Sequence, residues 1–345
     1  VDAWFKQYWQ KDTPPAELVT KLALLRRTLQ TSRLSIKINQ QVVTDARNYL
    51  NALPAAYLYY AIAKPLFPQE KQKLAIKGFS FPENELPFYL TKAGFKQVIA
   101  NLNTTASQIQ AENWVLARQE NTNLQTTLQQ AYCYEYATWW QQFMRHIKPE
   151  HTETYAQARQ LAQTLRESDS FSKLVELIQQ QTAPESGANA DLFNQEIASK
   201  FTELSFISHA GVQNLTLSLQ ELERFLTTLS IVNDQGRTAF ALTKARFQGD
   251  TLNNPLSAFY NYANQLPQPV SAWAKQIADD TWFALISDSR AYINKQWQET
   301  VLTNYKEAIA ARFPFDNAST QDIAIADFDH FFATHGVLNQ FIDDY

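Results

Sequence analysis

Residues 215–229 read LTLSLQELERFLTTL, with Leu215, Leu219, Leu222, Leu226 and Leu229 at steps of four, three, four and three. That spacing puts five leucines on one side of an α-helix. Two heptads are short for a coiled coil, so the stripe is expected to pack on a neighbouring helix of the same chain. The pattern recurs on either side. Leu18, Leu22, Leu25 and Leu29 repeat the four-three-four spacing behind Pro14-Pro15, a favourable helix start. Ile293, Trp297, Val301, Tyr305 and Ile309 form a stripe at steps of four, in a helix expected to stop before Pro314. Between Ile109 and Ile147 there is no Pro or Gly. That stretch predicts one long helix or two abutting ones, carrying Tyr132, Tyr136, Trp139, Trp140 and Phe143.

The whole chain of 345 residues holds only 7 Gly and 13 Pro. So few turn formers favour long helices over a many-stranded fold. The expected fold class is all-α, a multi-helix bundle of two or more helical subdomains with at most one or two short strands. Three breaks interrupt the helices. Residues 65–87 contain four prolines and Gly78, Thr182–Asn189 is linker-like, and Gln248–Pro255 contains Gly249. A subdomain boundary is expected near Lys148-Pro149, where the aromatic helix must end, dividing the chain into 1–148 and 149–345. Phe201, Leu204 and Phe206 allow one short strand within 192–212.

Hydrophobic residues make up 45%, as in an ordinary globular protein, and 22 Phe, 15 Tyr and 8 Trp supply large core or interface side chains. The net charge of −4 gives no general attraction to nucleic acid. The charge is unevenly spread: residues 1–100 carry 14 basic and 7 acidic side chains (+7), and residues 101–345 carry 16 and 27 (−11). Lys64, Lys71, Lys73 and Lys77 cluster around the proline-rich break. They form a candidate basic face for anionic lipid or an acidic partner, with solvated helix surface as the plainer reading. Cys133 is the only cysteine, which excludes an intrachain disulfide and a cysteine-rich zinc site. No apolar run reaches the roughly 18–20 residues needed to cross a bilayer. The chain opens on Val1 rather than Met, so a fragment is expected, with any membrane anchor outside this sequence.

Catalytic patterns are missing. There is no phosphate-binding glycine loop, dinucleotide fingerprint or nucleophile elbow. His146 and His151 sit one residue too far apart for an inverted zinc-protease motif, and Pro149 would break the helix needed to present both. His330 and His335 are five apart and do not share a helix face, with Gly336 expected to end their helix in a C-terminal turn. Asp279-Asp280 and Asp343-Asp344 are adjacent pairs pointing about 100° apart on a helix, so neither is a ready acid/base dyad. The residues therefore predict no catalysis, no cofactor and no metal.

The ending carries the most distinctive pattern. Ala311-Arg312-Phe313-Pro314-Phe315-Asp316 leads to Ala324-Ile325-Ala326-Asp327-Phe328, Phe331-Phe332, Gly336-Val337-Leu338, Phe341 and Tyr345. This resembles the signature of the IcmF/TssM family, with His335-Gly336 where the family has two glycines. Earlier elements are similar to the family as well: Val42-Val43-Thr44-Asp45-Ala46-Arg47 with Leu50, Leu86-Pro87 through Gly94-Phe95, Glu112-Asn113-Trp114-Val115-Leu116, and Leu266-Pro267-Gln268-Pro269 with Trp273. The resemblance implies the periplasmic part of an inner-membrane protein of type VI or type IVB secretion. It implies a DotU/TssL-like inner-membrane partner, and a TssJ-like outer-membrane lipoprotein reached through a domain absent from this chain. It leaves room for a homo-oligomer. The expected role is structural, bracing or connecting envelope parts through protein contacts, and a helical module capturing an effector or peptide is the alternative. Phe328, Phe331, Phe332, Gly336, Leu338, Phe341 and Ile342 are the candidate packing or interaction signature.

Overall fold

A computed structural model describes residues 16–31, 38–111, 113–117, 123–187, 189–207, 209–249 and 254–345. Helix dominates. In chain order the α-helices are α1 (Ala16–Thr31), α2 (Gln40–Ala52), α3 (Ala55–Ala63), α4 (Lys92–Ala111), the short α5 (Asn113–Leu116), α6 (Leu124–His146), α7 (Tyr155–Glu167) and α8 (Ser170–Thr182). Then follow α9 (Ala190–Glu196), α10 (His209–Ile231), α11 (Gln235–Phe247), α12 (Pro255–Gln265), α13 (Val270–Gln296), α14 (Thr303–Ala308), α15 (Ile325–Phe332) and α16 (Val337–Asp344). The sequence places polar caps where several of these begin. Asn39, Thr154, Asp234 and Asn254 each accept a hydrogen bond from a backbone N–H of the first turn, filling positions the helix itself leaves unpaired.

The Leu215–Leu229 stripe lies on α10, and all five leucines are buried. It packs against α7 and α12, as its apolar face requires. The stretch from Ile109 to Ile147 is broken after α5 by Ala117, whose φ of 54° is left-handed, so α6 starts afresh at Leu124. On α1, Leu22 is half-buried and Leu25 is exposed. The Leu18 and Leu29 side chains and the Pro14-Pro15 start lie outside the described residues.

The proline-rich break folds into two small antiparallel ladders. β1 (Lys71–Lys73) pairs with β3 (Glu85–Pro87), and β2 (Phe79–Ser80) pairs with β4 (Lys148–Pro149). None of these four strands was anticipated, because two or three residues leave no alternation to detect. The strand allowed within 192–212 is absent among the described residues. That stretch forms α9 and a 3₁₀ segment, Ala198–Phe206. The segment is kinked at Phe201, whose φ of −124° and ψ of 21° are not helical, and Ala198, Phe201, Leu204 and Ile207 are buried at steps of three rather than the two of a strand.

One buried cluster extends from Tyr59 to Leu285 and crosses Lys148-Pro149 without a break. Phe79 of β2 touches both Phe171 of α8 and Trp273 of α13, with ring centroids 5.3 and 5.6 Å apart. A second, smaller cluster gathers Val301, Ile309 and Phe331 near the end of the chain.

The helix expected to carry Trp297 to Ile309 is continuous from Val270 to Ala308, but its turn from Trp297 to Leu302 is π-helical. Steps of four drift by about 40° each on an α-helix of 3.6 residues per turn. The wider π turn takes up that drift and keeps Val301 and Ile309 on the buried side.

Candidate functional site

The C-terminal signature closes on itself. Arg312 Nη1 donates to Asp327 Oδ2 at 2.8 Å, tying the R-F-P-F stretch to the A-D-F stretch. Phe315 stacks on Phe332 at 5.8 Å, and Tyr305 meets Phe331 at 5.7 Å. Phe341 meets Trp297 edge-on at 5.2 Å, and Tyr345 rests on Phe240 and Tyr292. The hairpin of α15 and α16 is thus seated on the chain's own helices. Phe331 is buried, Phe332, Leu338 and Phe341 are half-buried, and Phe328 and Ile342 face solvent.

Gly336 does not end α15 in a left-handed turn. Its φ is −78° and it starts α16. A Cβ there would lie 2.8 Å from the carbonyl oxygens of His330 and Phe331, so the close approach of two backbones demands glycine. Gly94 has the same origin, since a Cβ would fall 1.9 Å from the Phe88 oxygen. Thr91 Oγ1 caps that helix start by accepting from Gly94 N at 3.0 Å.

Two other motif elements meet in space. Arg47 on α2 donates to the carbonyl oxygens of Val115 at 2.7 Å and Trp114 at 3.4 Å, and Asn51 donates to that of Leu116 at 3.1 Å. Arg47 and Asn51 together therefore supply donors to the carbonyls at the C-terminal end of α5, of which that of Trp114 also accepts from the Ala117 N–H.

The candidate basic face is only partly free. Lys64 pairs with Glu135 at 2.6 Å and Lys71 with Glu85 at 3.1 Å. Lys73 and Lys77 are exposed and carry no acidic partner among the described residues. Glu135 also accepts from the hydroxyls of Tyr60 and Tyr89. Burial, with the carboxylate beside it, holds the Tyr60 hydroxyl well above its ordinary range.

His151 sits 3.0 Å from Asp280, whose other oxygen accepts from the Thr152 N–H at 3.1 Å. This clasp ties the segment after β4 to α13. Among the described residues no group of three His, Cys, Asp or Glu is placed to hold a metal ion. A cleft of about 730 Å³ lies between the end of α6, the 3₁₀ segment and the start of α13. Arg145, Lys148, Lys200 and Glu203 line it together with the buried Trp273, and its lining contains no histidine. No helix among the described residues is long and apolar enough to cross a membrane.

The family model "IcmF-related: Intracellular multiplication and human macrophage-killing" matches residues 1–183, more than half of the chain. The chain belongs to the IcmF-related family. A second model, "Type VI secretion protein IcmF helical domain", matches residues 288–345, which include the whole α15–α16 hairpin. The IcmF-related chain is 21% identical to the type VI secretion system component TssM1 of Pseudomonas aeruginosa, over 100% of its own length and 37% of the relative's. It shares its fold with a solved chain of a type VI secretion system membrane core complex, at a TM-score of 0.55 and 12% identity. That match covers 85% of this chain and 62% of the other. The chain thus spans about a third of its curated relative.

Proposed function

We propose that this chain is a non-catalytic helical part of a secretion-system envelope complex, on the periplasmic face of the bacterial inner membrane. It braces or connects other components through protein contacts. The observation that carries this reading is similarity over its full length to TssM1, together with family matches at both ends. The build of the molecule agrees with such a role. Long helices meet in one main core, and Phe331, Phe332, Leu338 and Phe341 of the C-terminal signature pack on the chain's own helices. A DotU/TssL-like inner-membrane protein is the proposed partner, with contact to a TssJ-like lipoprotein made by sequence outside this chain. Neither nucleotide nor metal takes part in this role.

The test is affinity purification of the full-length protein from detergent-solubilised membranes. Recovery of other secretion components is expected, and secretion should fail when the region spanning this chain is deleted. Normal secretion from the deletion strain would refute the structural role. Dose-dependent thermal stabilisation by ATP with Mg²⁺, or by Zn²⁺, would refute the non-catalytic one, because a ligand that binds only the folded state raises its melting temperature.

A further inference from the structure

Helix α13 has two apolar faces. One is in the core, through Trp273, Ile277 and Leu285. The other carries Phe283, Ile286, Ile293 and Trp297, which with Arg290 between them follow steps of three, four, three and four and so share one side. A helix apolar on two sides ordinarily packs on both. Here the second face is covered at one end only. Phe341 of α16 lies against Trp297, and Tyr345 covers Tyr292 and Phe240. Beyond Tyr345 the stripe continues uncovered, with Phe283 68% and Ile286 41% exposed. Phe247 at the end of α11 stands beside it, 82% exposed. Between the two helices runs a groove of about 530 Å³ lined by Phe247, Ile286 and Ile293.

The charged side chains that line the groove itself are cationic. Its lining includes Lys244 and Arg290 and no carboxylate side chain, in a stretch of sequence (101–345) whose net charge is −11. The seat already filled is held by aromatic contacts and by a hydrogen bond to a backbone carbonyl. α16 presents Leu338 and Phe341 on its apolar side, ends in Asp343-Asp344 and contains no basic residue. Lys244 Nζ donates to the Asp344 carbonyl oxygen at 2.6 Å where α16 meets α11.

We infer that the open part of the α11–α13 groove is a docking site for an amphipathic helix of a partner protein, apolar on one face and acidic on the other, lying end to end with α16. Apolar anchors supply the affinity in such a groove, and the flanking charges select the partner. A cationic rim of this kind rejects a basic helix of equal hydrophobicity.

The test uses the 345-residue chain and two synthetic helical peptides. Both have Leu and Phe along one face; one has Glu on the other face, and its twin has Lys. Fluorescence anisotropy at low salt is expected to show saturable binding of the Glu peptide, about tenfold tighter than the Lys peptide. Ile286→Glu and Phe247→Ser should each weaken it by about tenfold, with the melting midpoint unchanged for Phe247→Ser, whose side chain is 82% exposed, and only slightly lowered for Ile286→Glu. Arg290→Glu should reduce or reverse the preference between the peptides. Equal binding of the two peptides, no binding of either, or binding indifferent to Ile286→Glu overturns the inference. So does self-association of the chain in sedimentation that Ile286→Glu abolishes, since the groove would then serve a second copy.

Discussion

The core around Trp140 and the hairpin around Phe331 are both built from aromatic side chains, yet they hold them differently. In the first, Tyr132, Tyr136 and Trp140 are buried side by side along α6, and each sends its polar tip to a backbone carbonyl. Tyr132 donates to Tyr89, Tyr136 to Gln181 at 2.8 Å and Trp140 to Leu90 at 2.8 Å. In the hairpin Phe331 is the one buried aromatic side chain, its ring neighbours are Phe332 and Tyr305, and it has no polar tip to place. The first core lies between several long helices. The second joins two helices of eight residues each to the single run from Trp297 to Ile309. Isolated helices that short do not persist in water, where about 12–15 residues are marginal, so the hairpin depends on its tertiary contacts, the aromatic ones together with the Arg312–Asp327 and Lys244–Asp344 hydrogen bonds. An aromatic-rich stretch therefore signals rigidity only where enough layers surround it; where they do not, it leaves surface for something else to cover.

The sharpest way to break this contrast is in the first region. Trp140→Ala is expected to destabilise the fold by about 3–5 kcal/mol, measured by urea denaturation. Trp140→Phe keeps most of the ring but leaves the buried Leu90 carbonyl without its donor, at a cost of about 1–3 kcal/mol. A loss well below 1 kcal/mol for the alanine variant would mean that α6 is not the centre of the core.

Phe331→Ala should cost roughly 3 kcal/mol, but locally. The Val301–Ile309–Phe331 cluster is separate from the main core, so limited proteolysis is expected to open the chain within residues 310–345 while the rest melts as before. Global unfolding at a lower temperature, with no new cleavage site, would show that the two regions are one cooperative unit.

Phe328→Ala is the milder counterpart on the same helix. The side chain is 44% exposed, so its removal should cost about 1 kcal/mol or less. Secretion in the cell is expected to suffer out of proportion to that loss if Phe328 is covered in the assembled complex. Normal melting with normal secretion would remove Phe328 from the functional signature.

Much of this architecture could be read from spacing. The Leu215–Leu229 stripe declared its helix and its buried face, and helix was expected throughout. Two of the misreadings come from short local patterns. Leu204 and Phe206, two residues apart, suggested a strand although burial from Ala198 to Ile207 repeats every three residues, and a stripe at steps of four does not say that part of its helix is π. Gly336 was identified as special, but composition cannot tell a left-handed turn from a close approach of two backbones. The signature residues were identifiable as a set. Their division into buried Phe331 and exposed Phe328 was not, because it depends on which side faces Trp297 and Val301. The α11–α13 groove left no trace in the reading of the sequence. Phe247 and Phe283 lie in different helices and belong to no shared pattern until the fold brings them together.

The smallest effect expected on stability concerns Cys133, and it separates the two regions by a chemical rather than a mechanical probe. The thiol is fully buried on α6, and burial pushes its pKa up to about 12. In the unfolded chain it titrates near 8.5. The folded state therefore keeps a proton that the unfolded state releases. The associated stability is fully present below about pH 8.5 and is lost progressively as the pH rises towards 12. At neutral pH the contribution to any pH slope is nil, and Cys133→Ser should show the same pH dependence as the parent between pH 6 and about 8. Reactivity is where the group becomes informative, because only the thiolate attacks. At pH 8 the native chain should resist a thiol-reactive dye and release its single equivalent only on unfolding. Coupled with Phe331→Ala, the measurement ranks the two regions. A hairpin that opens on its own leaves labelling at the parent rate, whereas a hairpin on which the main core depends accelerates it.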